Sequence, residues 1–543
     1  MTTRELATVL GPFGGLSSRT GTFMNASHED SVSAVAHQTL PRVLGLFDAT
    51  CMVVGSIIGS GIFLKVSSVD RALAPYGFLA IMGIWLFVGL VTVCGALALA
   101  ELGAMFPHAG GPYLYLREAY GRLPAFLWGW TEFWVVRTGS VGALACATVL
   151  YFHQLVELPP WGQTLLAIGI VVGLSLINLF STRWGAGVQS AATVAKVTFL
   201  AGLIVLPFLM RRMDPANLQP LLSWNDAHPL MLTFWKAIGI AMVAVLWPYD
   251  GWINLGPVAE DIREPQRNVP LGLGIGLGIV ILVYLGANLS YHLTLTMSHL
   301  SASSTVAADV FEVLFGPVGA QIAALGVMCS TFGATNSNMI TGPRIYLAVA
   351  RDGLVPRWLH HIHPVYQTPA NAIVAQAVWT VLLIVLFSVW KPSEPKLVSP
   401  AANKVETTAA ASSDLAEQAA STKEVTRTSG PPASEPHSVQ MKRAFDNLTD
   451  SVICAGLLFY GLTVSAVYVL RRTRPHVERP YKTWGYPLTP ALLLVAYAGA
   501  FVSLLIQQPQ QTLSVLMLIA SGVVYYFAAL RWQRLLVEGT GWT

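Results

Sequence analysis

The chain has 543 residues, of which 54% are hydrophobic and only 11% charged, where a soluble domain carries about a quarter charged residues. That excess of apolar surface excludes an ordinary soluble globule, and with a formal charge of only +4 the placement of Lys and Arg along the chain says more than their sum. The long runs are apolar on all sides rather than alternating, which excludes the strands of an outer-membrane barrel. They predict an all-α membrane protein of about twelve transmembrane helices, each near the roughly 20 residues that cross a bilayer core.

Residues 1–40 are polar, lack an apolar stretch followed by a cleavage site, and read as a disordered cytoplasmic tail, so that the first span serves as an uncleaved signal. The spans then follow at 44–66, 78–102, 123–152, 165–180, 188–209, 234–258, 271–293, 318–350, 371–389, 451–470, 490–506 and 513–530. Helices one to nine thus occupy 41–390 and helices ten to twelve 446–534, with a second tail at 535–543. Between the two sets, 391–445 is rich in Ala, Ser, Thr, Pro and Glu and reads as a disordered low-complexity insertion on the outer side. Arg263 and Arg267, Arg351 and Arg357, Arg471, Arg472, Arg474, Arg479 and Lys482, and Arg531 and Arg534 all fall in loops on one side of the count, with Arg211 and Arg212 the exception. By the positive-inside rule both termini are cytoplasmic, in a plasma membrane or a bacterial inner membrane. The five cysteines fall inside spans at no metal-ligand spacing and read as small core residues; no metal or other cofactor is expected.

Spans one and six differ from the rest. The first holds Gly55-Ser-Ile-Ile-Gly59-Ser60-Gly61-Ile-Phe63 and the sixth Trp247-Pro248-Tyr249-Asp250-Gly251-Trp252, so both carry helix breakers near mid-span. Interrupted segments at matching positions five spans apart point to an inverted repeat with its site at the midplane. A helix broken inside a bilayer leaves N–H and C=O groups without water, and a ligand can be their partner. The N–H groups at Gly59, Ser60 and Gly61 begin a new half-helix and suit a carboxylate. The carbonyls that end the preceding half-helix, with those around Trp247 and Asp250, suit an ammonium. Carboxylate and ammonium a few Å apart describe the α-carbon of an amino acid. The competing explanation is that Gly55 and Gly59 form a small-residue packing face. A nucleotide-binding loop is disfavoured because no strand precedes the glycines, and no nucleic-acid partner is expected.

Lys196, inside Ala192-Thr-Val-Ala-Lys196, is an ionisable group within the fifth span and marks a functional site or an ion pathway, unless it snorkels to the interface. A fixed ammonium near the first-span break takes the place of a coupling sodium ion; a lysine that gives up its proton there carries one instead. Asp250 either holds a cationic substrate side chain or, the favoured reading, supports the break through hydrogen bonds. Trp247 is large enough to gate a bound molecule or simply to pack. His360, His361 and His363 lie in a loop and are not read as metal ligands.

These segments, with Pro107-His-Ala-Gly-Gly-Pro-Tyr-Leu-Tyr115, Leu123-Pro-Ala-Phe-Leu-Trp-Gly-Trp130, Glu260-Asp-Ile-Arg-Glu-Pro-Gln-Arg-Asn-Val-Pro270, Ser330-Thr-Phe-Gly-Ala-Thr-Asn336, Ala350-Arg-Asp-Gly-Leu-Val-Pro356 and Glu478-Arg-Pro-Tyr-Lys-Thr-Trp-Gly-Tyr-Pro487, resemble the amino acid-polyamine-organocation (APC) superfamily. Within it they are similar to the L-amino-acid transporter branch and its bacterial relatives. The resemblance implies a LeuT-type 5+5 inverted repeat with two extra helices, working by alternating access. Carried over by position, it implies that Ser60 and Gly61 bind the substrate carboxylate, that carbonyls of Ile57, Trp247 and Asp250 receive its amine, and that Trp247 is the gate. Lys196 matches the lysine that stands where sodium-coupled relatives hold an ion. Asn254, Ser140, Asn336 and Gly456 are candidates for the side-chain pocket, and with no further charge placed there a neutral side chain fits best. Two departures stand out: the loop Leu155-Val-Glu-Leu-Pro-Pro-Trp-Gly-Gln163 lacks the cysteine that ties members of this branch to a heavy chain, so no disulfide-linked partner is expected, and Asp250 stands where the family often has glycine.

The expected function is a sodium-independent exchanger of neutral L-amino acids; the alternative is a proton-coupled permease for cationic amino acids or polyamines. A sensor would carry a large folded tail, and an enzyme would need a metal motif or a nucleophile beside a base, neither of which is visible.

Overall fold

The computed structural model describes residues 41–223, 231–303, 305–389 and 437–539. The expected tail at 1–40, residues 391–436 of the expected insertion and the last residues 540–543 lie outside the described residues. The named elements are helical: α1 (Leu46–Ile57), α2 (Gly61–Leu64), α3 (Val66–Leu73), α4 (Phe78–Met105), α5 (Pro112–Tyr120), α6 (Arg122–Thr131), α7 (Arg137–Leu155), α8 (Pro160–Phe180), α9 (Thr182–Leu209), α10 (Met231–Tyr249), α11 (Pro265–Thr294), α12 (Met297–Ala302), α13 (Val306–Phe315), α14 (Pro317–Arg351), α15 (Ala370–Val389), α16 (His437–Thr473), α17 (Leu488–Gln507) and α18 (Pro509–Gly539). Among the described residues eleven helices are long and apolar enough to cross a membrane, and the shorter apolar stretch 370–386 lies in the ninth expected span. Their outward faces carry bare Leu282, Val495, Val524 and Ile506, a surface that water would not tolerate and lipid does.

Both expected breaks are present. Helix α1 stops at Ile57, Ile58 is extended, and α2 restarts at Gly61. Glycine gives up the most chain entropy in a helix, so Gly59 and Gly61 make this the cheapest place to interrupt one. In span six, Pro248 removes one helical N–H, α10 ends at Tyr249, and Gly251 takes φ 110° before the short 3-10 turn Trp252–Leu255. The two breaks pack directly on one another. A Cβ on Gly61 would stand 2.6 Å from the Pro248 Cα, and one on Gly251 would stand 2.8 Å from the Ser56 carbonyl. Small residues here are therefore demanded by contact between the two broken spans as well as by chain conformation.

Helix α1 is framed by α9, α11 and α14, and α7 lies along α14. Gly55 does serve as a packing surface, since a Cβ there would stand 2.1 Å from Gln189 Nε2 on α9. Two features depart from expectation. The third span is not a continuous α-helix: a π-helical turn, Glu132–Val136, separates α6 from α7. Helix α16 begins at His437, so the low-complexity segment expected to run to 445 gives way to helix before that point.

One end of the bundle is closed by charge. Arg471 Nη2 meets Glu101 at 2.6 Å, Arg117 Nη1 meets Asp352 at 2.6 Å, Arg344 Nε meets Asp261 at 2.5 Å and Arg351 Nη1 meets Glu260 at 3.3 Å. Tyr113, in a loop helix outside the spans, donates to Asp352 at 2.6 Å; burial, and then the Asp352 carboxylate, push its hydroxyl up from the usual phenol value, so it remains a donor. The segments flanking the broken spans are also tied, with Leu44 N–H donating to the Asp261 carbonyl and Arg263 N–H to the Leu44 carbonyl.

Because Gly251 combines a left-handed backbone with contact on Ser56, Gly251→Ala is expected to lower thermal stability in detergent by about 1–3 kcal/mol, read as an earlier melting transition. Gly274→Ala, where an added Cβ meets nothing within 4 Å, is expected to leave the transition in place.

Candidate functional site

Where α1, α2 and α10 break, their ends enclose a cavity of about 20 Å³ against α7 and α14. Ile57, Gly59, Ser60, Gly61, Ser140, Trp247, Asp250 and Asn254, all singled out from sequence, line it. So do Ser56, Leu144, Gly251, Ala334 and Asn338, which sequence reasoning did not name as pocket residues. The cavity has room for about one water molecule, so anything larger enters only as the surrounding helices part.

The polar groups divide as the break requires. The N–H groups of Gly59, Ser60 and Gly61 have no hydrogen-bond partner among the described residues, which leaves donors in a buried pocket for an acceptor to satisfy. The carbonyl side is partly occupied. Tyr284 Oη, reaching in from α11, shares its one proton between the Pro248 carbonyl at 2.8 Å and the Ile57 carbonyl at 3.1 Å, so that it sits between both breaks, and the Trp247 carbonyl accepts the Asp250 N–H at 3.1 Å. A carbonyl has two lone pairs, so Ile57 and Trp247 keep one acceptor direction each.

Lys196 is 0% exposed and does not snorkel. Its Nζ donates to the carbonyls of Gly55 at 3.0 Å and Ile58 at 2.6 Å, the last groups of the first half-helix, and to Ser330 on α14 at 3.0 Å. Three donors meet three acceptors, which is the full capacity of an ammonium. Ser330 Oγ adds a bond to the Gly59 carbonyl at 3.0 Å. The lysine thus holds the carbonyl end of the break from behind, outside the cavity lining.

Asp250 forms one wall of the cavity and accepts from Tyr460 Oη of α16 at 2.9 Å. Gly456, expected in the pocket, lies beyond that wall in a second small cavity that shares Asp250. Asn336 is not in the pocket either: it bonds Asn178 at 2.8 Å and the Gly185 carbonyl at 2.9 Å. The cavity instead receives Asn338 from the same helix, since residues two apart on a helix point to nearly opposite faces. The expectation that no further charge stands near the site is corrected by span three. Arg137 and Glu132, 2% and 0% exposed, form a buried pair at 2.9 Å, and Arg137 Nη1 donates to the side-chain oxygens of Asn254 at 2.7 Å and Asn338 at 2.6 Å.

Trp247 lines the cavity from the end of α10. Its indole N–H donates to Ser60 Oγ at 3.2 Å, tying span six to span one, and the ring meets Phe445 of α16 edge-on at 6.0 Å. Lys65 lies 5.7 Å from the Phe445 ring centre and 3.6 Å from Asp450.

The family described as amino acid permease matches residues 44–529. The chain is 28% identical to the b(0,+)-type amino acid transporter 1 of Mus musculus, over 90% of this chain and 88% of the relative. It is 28% identical to the serine/threonine exchanger SteT of Bacillus subtilis (strain 168), over 90% and 97% of the two chains. It is 29% identical to the large neutral amino acids transporter small subunit 2 of Homo sapiens, over 91% and 82%.

A Cβ on Gly59 would meet Ala334 Cβ at 3.3 Å and Leu144 Cδ2 at 3.4 Å, side chains of the cavity wall that can give. Gly59→Val is therefore expected to yield a folded, monodisperse protein whose melting transition no longer rises with added ligand, whereas Gly61→Val, driven against the Pro248 backbone, is expected to destabilise the fold itself. A scan of both variants with and without ligand separates the two effects.

Proposed function

Because this chain belongs to the amino acid permease family, we propose that it exchanges neutral L-amino acids across a cell membrane by alternating access and without sodium. Amino acid transport is what its relatives support, and they are transporters rather than enzymes. The finer reading is carried by the Lys196 ammonium, which sits on the carbonyls of Gly55 and Ile58 where the first span opens. A fixed positive charge at that place does electrostatically what a bound cation would do, and leaves nothing there for sodium to neutralise.

In this reading the free N–H groups of Gly59, Ser60 and Gly61 take the substrate carboxylate. The remaining lone pairs of the Ile57 and Trp247 carbonyls, with the Asp250 carbonyl, take its ammonium. Trp247 is the gate over the bound molecule, and the side chain projects towards Ser140 and Asn254. In the same reading the charged end described above, with its Arg–carboxylate pairs, is taken as the cytoplasmic side, and both termini with it, on the positive-inside rule. The loop between α7 and α8 has no cysteine, so a disulfide-linked heavy chain forms no part of the proposal.

The Asp250 carboxylate on the cavity wall favours a second reading, a proton-coupled permease for cationic amino acids or polyamines. Arg137 acts against it, since the cavity-lining Asn254 and Asn338 are both held by its guanidinium, a positive group on the same site.

Purified protein in liposomes preloaded with one unlabelled neutral amino acid is expected to take up a second, labelled one, with little uptake into empty liposomes. Uptake into empty liposomes that follows an imposed pH gradient, or a preference for lysine or putrescine, would replace this reading by the second. Lys196→Ala leaves three carbonyls to find other partners, at about 1–3 kcal/mol for each one left unpaired, and is expected to lower the exchange rate at least about tenfold.

A further inference from the structure

The fifth-residue spacing of Glu132 and Arg137 puts them on different faces of an ordinary α-helix. The π-helical turn between them widens the coil so that residues five apart come into line, and their buried side chains meet inside the third span. Arg137 Nε donates to Glu132 Oε2 at 2.9 Å and Nη2 donates to Oε1 at 3.1 Å, a two-pronged pairing that fixes the plane of the guanidinium. The two protons on Nη1 are then aimed at Asn254 Oδ1, at 2.7 Å, and Asn338 Oδ1, at 2.6 Å.

A guanidinium only donates, so the atom each asparagine turns towards it has to be the carbonyl oxygen and not the amide nitrogen. This fixes the orientation of both amides by chemistry. For Asn338 the consequence is local, because its Nδ2 donates to the Ala334 carbonyl at 3.0 Å. For Asn254 it is not. Asn254 is 4% exposed and lines the cavity, and its Nδ2 has no hydrogen-bond partner among the described residues. A buried amide donor without an acceptor is costly, and the cavity is where an acceptor can arrive.

We infer that Arg137, clamped by Glu132 across the π-helical turn, holds Asn254 with its amide donor towards the cavity and thereby selects substrates whose short neutral side chain carries a hydrogen-bond acceptor, a hydroxyl or amide, over aliphatic side chains of the same shape. Asn254 is the residue that meets the side chain, and Arg137 is a positioning residue. The inference rests on the proposed amino acid transport and narrows its substrate class.

Threonine and valine decide it, since they differ by a hydroxyl in place of a methyl at nearly constant shape. In proteoliposomes of the full-length protein, labelled alanine uptake is measured against increasing threonine or valine, and the ratio of their half-inhibitory concentrations is taken within each variant, so that differences in yield cancel. The wild type is expected to favour threonine by about tenfold, the worth of one hydrogen bond in a dry pocket. Asn254→Leu removes the donor and is expected to bring the ratio to one or invert it. Arg137→Lys keeps the charge but cannot grip Glu132 and both asparagines at once, and is expected to bring the ratio close to one; a merely structural arginine would change rate and yield but not this ratio. Equal inhibition by threonine and valine in the wild type, or an unchanged ratio in Asn254→Leu, overturns the inference even if Arg137→Lys fails to fold. An unchanged ratio in a folded Arg137→Lys removes Arg137 from it. Absence of uptake for every amino acid overturns the transport reading itself, whereas alanine uptake with equal inhibition by threonine and valine overturns only this narrowing.

Discussion

The whole site depends on an ammonium group satisfying the carbonyls that a broken helix leaves behind. A helix interrupted inside a bilayer cannot turn to water, and the first span is interrupted where Gly59 and Gly61 make that least costly. Lys196 answers one half of the problem, with Nζ on Gly55, Ile58 and Ser330. Because the carbonyl end is held from within, the N–H end at Gly59, Ser60 and Gly61 is left open for a ligand. Tyr284 performs a smaller version of the same task between the breaks of spans one and six.

Around that core the molecule separates what has to stay fixed from what has to move. Helices α7, α8, α9 and α14 carry the buried polar contacts that hold the back of the site: Lys196 with Ser330, Arg137 with Asn338, and Asn178 with Asn336. The broken spans meet one another at Gly61 against Pro248, Gly251 against Ser56 and the Trp247 indole N–H on Ser60. With a cavity of only about 20 Å³, the described state has no room for an amino acid between the breaks.

Much of this was legible in the sequence, for definite reasons. Composition and run length dictate the spans, and glycine and proline in mid-span dictate the breaks, since few other residues interrupt a helix so cheaply. Lys196 stood out because a lysine within a membrane span has few places to go. What could not be read was rotation and local coil. Asn336 and Asn338 both sit in a polar stretch of α14, and nothing in that stretch says which faces the cavity; the structure turns Asn338 inward and commits Asn336 to α8 and α9. Glu132 and Arg137 do not announce themselves as a pair, because regular helix geometry keeps residues five apart from meeting, and the π-helical turn that unites them leaves no recognisable mark in Glu-Phe-Trp-Val-Val. Gly456 is expected inside the pocket but lies one wall further out, because Asp250 borders two cavities.

The claim that an internal ammonium stands in for an external cation is tested most directly by binding in the absence of sodium. Ligand-induced stabilisation of the purified protein, titrated with alanine or threonine in matched sodium and choline buffers, is expected to give the same dissociation constant in both. A requirement for sodium, or affinity that rises with its concentration at constant ionic strength, would contradict the role given to Lys196.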